Sequence, residues 1–254
     1  MELGMEVRTC ISLPGIPVGT IGRVKEIGRL FVVVEFADAH MGYYARGQLA
    51  PTTESSGRSQ YARLGIGEER LAYGSHLCLL PSTKDELMRL IARYVTAGLE
   101  AGENCACVMP AAWNLPLGEA MAEEGIELDG VLASGRLAIR RAHEVYYQAS
   151  EFTARGQLQR TGEALASLAA GSGQGARLFG YAGHDVFNLA EWWEYEERAT
   201  QLLKEHRVTA MCVYDPAGMR AGHWRRAEAT HPYIVKGGSV VAGTGGPRPG
   251  NPPS

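Results

Sequence analysis

From Leu71 onward, short apolar runs alternate with segments whose apolar residues recur at helical spacing. Few architectures accommodate that alternation. A strand followed by a helix, repeated, builds a mainly parallel sheet covered by helices on both faces. The predicted strands are His76–Leu80, Cys105–Met109, Arg136–Arg141, Leu178–Tyr181, Val208–Tyr214 and Tyr233–Val241. They are short and almost continuously apolar, as strands buried on both sides must be. Between them lie helices at Leu117–Glu124, Gln157–Ala170, Leu189–His206 and Arg220–Thr230. The first helix starts at a cap, Ser82 or Thr83, with Glu86 three residues after Thr83 as the capping-box acid. Its residues Leu87, Leu90, Ile91, Tyr94, Val95 and Leu99 share one face, and Gly102 is its stop signal.

The segment before Leu71 reads differently. Val7–Ile11, Gly19–Ile27, Phe31–Phe36 and Gly42–Leu49 are rich in β-branched and aromatic residues and fit no helical period. Residues 1–52 are therefore expected to form a small all-β barrel of the SH3-like kind. Its cations Arg8, Arg23, Lys25, Arg29 and Arg46 are matched by Glu2, Glu6, Glu26, Glu35 and Asp38. That balance favours a protein-contact or dimerisation module over a nucleic-acid one. Residues 53–69 are polar and read as a linker, residues 70–242 as the α/β domain, and the Gly- and Pro-rich stretch 243–254 as a disordered tail.

Composition excludes several classes. The formal net charge of −3 gives no footprint for nucleic acid or an anionic membrane. No apolar run approaches the ~20 residues that span a bilayer, and the acidic start of the chain is unlike a secretory signal. The 5 cysteines form no disulfide pattern, which points to a reducing cytoplasm.

In parallel sheets ligands bind beyond the carboxyl ends of the strands. The first such turn, Leu80-Pro81-Ser82-Thr83-Lys84, has no glycine, and Pro81 removes a backbone donor. It is not a phosphate-binding loop, and no G-x-G-x-x-G follows any strand. The sequence thus predicts neither nucleotide hydrolysis nor a cofactor. No nucleophile–base pair stands out, so no catalytic residue is assigned.

Other constellations carry candidate chemistry. His76-x-Cys78 and Cys105-x-Cys107 each place two soft ligands on one face of a strand. If those strands were neighbours, His76, Cys78, Cys105 and Cys107 would suit a metal, haem or thiol-redox sensor. Buried cysteines packing as small hydrophobes are the commoner outcome. Tyr181, His184 and Asp185 follow the fourth strand, where Asp185 could also cap the next helix. Trp192 and Trp193 offer flat apolar surface for a ligand, the plainer outcome being one in the core and one half-exposed. Tyr214 and Asp215 end the fifth strand, and Pro216 holds Asp215 extended.

The order of these motifs resembles a known family. His76-Leu77-Cys78-Leu79-Leu80, Gly98-Leu99-Glu100-Ala101-Gly102-Glu103-Asn104-Cys105, Trp192-Trp193-Glu194-Tyr195-Glu196, Val208–Asp215 and Thr230-His231-Pro232 look like the MEDS domain, the methanogen/methylotroph and DcmR sensory domain. The resemblance covers roughly residues 70 to 242. It implies a RecA/KaiC-like sheet whose phosphate loop is lost, and a role in sensing small hydrocarbon derivatives. It does not extend to the barrel, and no DNA-binding helix-turn-helix is visible. The expectation is a cytoplasmic sensor that binds neither nucleic acid nor membrane, relays to a protein partner and has the option of homodimerising through its barrel. The expected ligand site comprises His76, Tyr181, His184, Asp185, Trp192, Glu196, Tyr214, Asp215 and His231.

Overall fold

The computed structural model describes residues 3, 6–9, 20–27, 31–36, 41–44, 49–51, 60–67, 69–147, 152–170, 172–181, 183, 185–189, 191–214 and 219–243. The expected tail, from 244 on, and residues 53–59 and 68 of the expected linker lie outside them.

The N-terminal strands are β1 (Glu6–Thr9), β2 (Ile21–Ile27), β3 (Val32–Phe36), β4 (Met41–Tyr44) and β5 (Leu49–Pro51). They form one antiparallel sheet in the order β4-β3-β2-β1-β5, an arrangement compatible with the expected small barrel. Alternation of side chains sends Val7, Val24, Val32, Val34, Phe36, Tyr44 and Leu49 to one buried face.

Part of the expected linker is folded. Tyr61–Arg63 (β6) pairs antiparallel with Arg70–Ala72 (β7). Leu64 and Ile66, which follow β6, are buried in the main core with Leu71. These apolar side chains sit in a polar stretch, and their burial is a tertiary event that local composition does not show.

The main domain follows the predicted alternation. Its strands are β8 (His76–Leu79), β9 (Asn104–Val108), β10 (Leu137–Arg140), β11 (Ala176–Tyr181), β12 (Val208–Val213), β13 (Tyr233–Lys236) and β14 (Ser239–Ala242). Its helices are α1 (Lys84–Glu100), α2 (Asn114–Glu123), α3 (Leu128–Ala133), α4 (Ala142–Tyr146), α5 (Ala154–Ala170), α6 (Trp192–His206) and α7 (Ala221–Thr230). The sheet order is β10-β9-β11-β12-β8-β13-β14. All pairings are parallel except the last, where β13 turns back into β14 through Gly237 and Gly238, both with positive φ. A two-residue Gly-Gly turn of that kind is a hairpin signal, so the single last strand expected at Tyr233–Val241 is two.

Helices cover both faces. Leu77, Leu79, Cys105, Cys107, Phe179, Met211 and Val213 pack with α1. Cys78, Val108, Trp192, Trp193, Tyr195 and Tyr214 pack in a second core on the opposite face. The Thr83 hydroxyl accepts from the Glu86 N–H at 3.1 Å, and Ser82 N–H donates to the Glu86 carboxylate at 2.7 Å. The anticipated Thr83 cap is therefore present, while Glu86 reaches one residue beyond the N-cap, to Ser82, so the reciprocal half of the box is displaced.

One buried ion pair ties the first core together. Arg177 on β11 donates to Glu103 through Nε and Nη2, to the Tyr94 carbonyl at 2.7 Å and to the Arg63 carbonyl. Tyr73 donates to the same carboxylate at 2.7 Å. Arg177 reaches these partners by passing α1 at Gly98, where a Cβ would lie 2.6 Å from the arginine Cδ and Nε.

That geometry reverses an ordinary rule. Gly→Ala within a helix normally stabilises by about 0.5–1 kcal/mol. At Gly162 in α5 an added Cβ would make ordinary contacts at 3.6 Å, so Gly162→Ala is expected to stabilise. Gly98→Ala is expected instead to destabilise by about 1–3 kcal/mol, because the pinned Arg177 cannot yield. Urea midpoints of the two variants check the opposite signs.

Candidate functional site

The second face of the sheet holds the polar residues. β8 and β12 are adjacent and parallel, with Ala210 opposite His76 and Cys212 opposite Cys78. Side-chain alternation sends Leu77, Leu79, Met211 and Val213 toward α1 and leaves His76, Cys78, Cys212 and Tyr214 facing α6 and α7. On α6, Glu196 and Thr200 are four residues apart and share a helix face. His231 is the C-cap residue of α7. Elements from both ends of the domain thus meet at one point.

Four of these residues converge. Nitrogen, sulfur or carboxylate atoms of His76, Glu196, Cys212 and His231 all lie within 4.8 Å of one another. His76 Nε2 is 3.2 Å from Cys212 Sγ and 3.4 Å from Glu196 Oε2. His231 Nε2 is 3.6 Å from the same oxygen, and the two imidazole centroids are 4.0 Å apart. His76, Glu196 and His231 are at most 3% exposed, and Cys212 retains partial exposure.

Hydrogen bonds at the outer ring nitrogens set the tautomers. His231 Nδ1 lies 2.8 Å from the Ala227 carbonyl, which can only accept, so this nitrogen carries the proton. His76 Nδ1 lies 3.0 Å from the Thr200 hydroxyl, which itself donates to the Thr230 carbonyl. That hydroxyl therefore accepts from His76. Both imidazoles turn an unprotonated Nε2 toward Glu196. Glu196 Oε2 and His231 Nε2 are buried without a hydrogen-bond partner among the described residues.

Burial holds the group neutral. It pushes Glu196 up to about 8, with the Tyr214 hydroxyl beside it working the other way. It lowers His231 to about 4 and drives His76 well below its ordinary value, aided by the neighbouring His231. It raises the Cys212 thiol, as do Glu196 and Cys78. Cys212 and His76 are close enough to be a nucleophile and its base, yet the thiol stays protonated, and a thiolate nucleophile is disfavoured.

An aromatic group adjoins this cluster. Tyr214 meets His231 edge-on at 5.5 Å and stacks with Phe187 at 5.8 Å. Phe187 also stacks on Trp193 at 6.0 Å and on His223 of α7 at 4.9 Å. Phe187 and His223 are only half-buried.

The sequence-predicted site residues divide among several places. His76, Glu196, Tyr214 and His231 come together. Tyr181 is on the opposite face, against Trp113 at 4.7 Å. Trp192 is the core tryptophan, packed on Tyr146, Phe152 and Tyr195. Asp185 begins a short 3-10 turn, Asp185–Asn188. His184 and Asp215 lie outside the described residues. The set His76, Cys78, Cys105 and Cys107 is not assembled. β8 and β9 are separated by β12 and β11, roughly 14 Å at ordinary strand spacing, and Cys105 and Cys107 face α1. The meeting point also lies between the sheet and α6, below the strand ends where a ligand was expected. Sequence reasoning passed over Cys212, Thr200, Phe187 and His223. Of these, Cys212 was the most accessible, since it shares its strand face with Tyr214.

A profile described as "MEDS: MEthanogen/methylotroph, DcmR Sensory domain" matches residues 75–232. The chain belongs to this family. The MEDS match encloses all four converging residues, and His76 and His231 each stand one residue inside its limits. No curated protein matches the chain. Among solved structures it is similar to a KaiC-like protein from the archaeon Pyrococcus horikoshii OT3, with 18% identity, a TM-score of 0.47 and coverage of 65% of this chain and 72% of that one. It is also similar to the flagellar accessory protein FlaH from Methanocaldococcus jannaschii, with 11% identity, a TM-score of 0.49 and coverage of 71% and 84%. No helix among the described residues is long and apolar enough to cross a membrane.

The perturbed acid gives the MEDS domain a pH signature. Glu196 has its folded value raised to about 8 from an ordinary 4.5. Its contribution is fully present below about pH 4.5 and is lost as pH climbs through 8. His231 acts in the opposite sense, with stability present above 6.5 and lost as pH falls through about 4. In metal-free protein, Glu196→Gln should abolish the alkaline loss, gaining about 3–5 kcal/mol on the wild type between pH 5 and about pH 8. Denaturant titrations across that range measure it.

Proposed function

We propose that this MEDS domain senses a small, mostly apolar compound, such as a hydrocarbon derivative, at the aromatic wall formed by Phe187, Trp193, Tyr214 and His223. The observation that carries the reading is the placement of this wall. The half-buried rings of Phe187 and His223 offer flat apolar surface over the buried Trp193 and Tyr214, while Tyr214 joins them to the buried His231 and Glu196. A compound settling on the wall would bear on α6, α7 and β12 at once. Membership of a sensory-domain family supports the same reading.

The protein acts by binding, without nucleotide hydrolysis. The turn after β8 supports this. Its Ser82 N–H, which a phosphate-binding loop would direct at an anion, is taken by the carboxylate of Glu86. The output passes to a protein partner in the cytoplasm, not directly to nucleic acid, and the N-terminal sheet is the natural contact module.

Thermal-shift measurements with short-chain alcohols, amines and halogenated hydrocarbons test the proposal. At about a hundredfold excess over the dissociation constant, a binding compound is expected to add about 2.7 kcal/mol of stability and to alter Trp193 fluorescence. Phe187→Ala should remove both effects, whereas Trp113→Phe on the opposite face should leave them. A panel without any shift, or one whose shifts survive Phe187→Ala, overturns the reading.

A further inference from the structure

We propose that His76, Glu196, Cys212 and His231 form a binding site for one divalent transition-metal ion of the zinc type. The inference stands apart from the small-molecule reading, which concerns the aromatic wall and not these four side chains.

Geometry comes first. Zinc holds nitrogen, oxygen and sulfur at about 2.0–2.3 Å, usually as a tetrahedron. The edges of such a tetrahedron are roughly 3.3–3.8 Å long, by simple geometry from those bond lengths. The separations of His76 Nε2 from Cys212 Sγ, of His76 Nε2 from Glu196 Oε2 and of His231 Nε2 from Glu196 Oε2 are 3.2, 3.4 and 3.6 Å. Three edges therefore already have nearly the required length. The remaining pairs lie within 4.8 Å, a gap that small rotations of side chains can close.

Orientation comes second. A ligating histidine characteristically gives its other ring N–H to a carbonyl or a similar acceptor, which fixes the tautomer and aims the lone pair. His231 does this through Ala227, and His76 through Thr200, which is itself held by the Thr230 carbonyl. These are outer supports for two aimed donors.

A purely structural cluster would look different. Buried polar atoms in a core normally find partners. Here Glu196 Oε2 and His231 Nε2 have none among the described residues, although both residues are at most 3% exposed. Unprotonated nitrogens and a carboxyl oxygen facing one another repel unless something positive lies between them. A proton serves only one pair at a time, whereas a divalent ion serves all four groups. Binding converts the acid to carboxylate and the thiol to thiolate and releases their two protons to solvent.

The donor set selects the ion. Two imidazoles, one thiolate and one carboxylate disfavour magnesium and calcium, which take oxygen ligands, and suit zinc or cobalt(II).

The test uses the full chain, stripped with chelator, loaded with zinc or cobalt(II) alone and desalted. One equivalent of metal per chain is expected, with a raised melting temperature. The cobalt form should show the visible bands of a tetrahedral site and a near-ultraviolet sulfur-to-cobalt charge-transfer band. Cys212→Ser should lose the charge-transfer band. Thr200→Val, a change in a positioning residue, should weaken binding about 10- to 100-fold. Cys105→Ser, on the other face of the sheet, should behave as wild type. Circular dichroism confirms folding of each variant, and Glu196→Gln, expected to weaken metal binding, stands in for Cys212→Ser or Thr200→Val if either fails to fold. Less than about a tenth of an equivalent retained, or a charge-transfer band that survives Cys212→Ser, overturns the proposal. Loss of metal binding with the small-molecule thermal shift intact overturns the ion alone, and the converse overturns the wall alone.

Discussion

The domain depends on two adjacent parallel strands, β8 and β12, that are buried on both faces yet differ on each. One face carries Leu77, Leu79, Met211 and Val213 into the largely apolar core under α1. The other carries His76, Cys78, Cys212 and Tyr214. Each strand's register is fixed, because a slip by one residue would drive histidine into the apolar core and leucine onto the polar cluster. The same alternation that makes the sheet fold also brings the donor atoms together. Stability and site cannot be varied independently here.

Helix α6 completes the arrangement with a single face. Trp192 and Tyr195 pack it into the second core, while Glu196 and Thr200 meet the strands. Burying a carboxyl group in this way is costly. The chain offsets that cost with the aromatic packing around it and with the protonation that burial itself imposes. The buried Arg177–Glu103 pair on the other face is handled differently. There every charge has a partner and several carbonyls assist. One face spends its polar groups on rigidity, and the other leaves some of them unfulfilled.

Much of the architecture was legible in the sequence because its signals are local. The strand–helix alternation, the Thr83–Glu86 cap and the absence of a phosphate loop each depend on a few neighbouring residues. The Gly237-Gly238 turn carried an equally local signal, and it separates the two strands read as one. The folded part of the expected linker was not legible, since Leu64 and Ile66 are buried only by what packs on them. The site was half legible. His76, Glu196, Tyr214 and His231 were singled out, but the partners of His76 were sought among Cys78, Cys105 and Cys107 by proximity of motif. Strand order decides that question, and no residue in β9 advertises that two strands separate it from β8. Tyr181 stands apart from the site for a related reason, because the parity of its position places it on the other face.

The position of His231 at the end of α7 has a further consequence. His76 opens the first strand of the domain and His231 follows its last helix, so their contact closes nearly the whole domain into one loop. Contacts of such sequence separation carry a large loop-closure entropy, which the intervening elements must offset. They are also the first to be lost if α7 frays from the sheet. The meeting of the two rings therefore marks the completed domain, and any movement that lifts α7 is felt at once by the residue that began it.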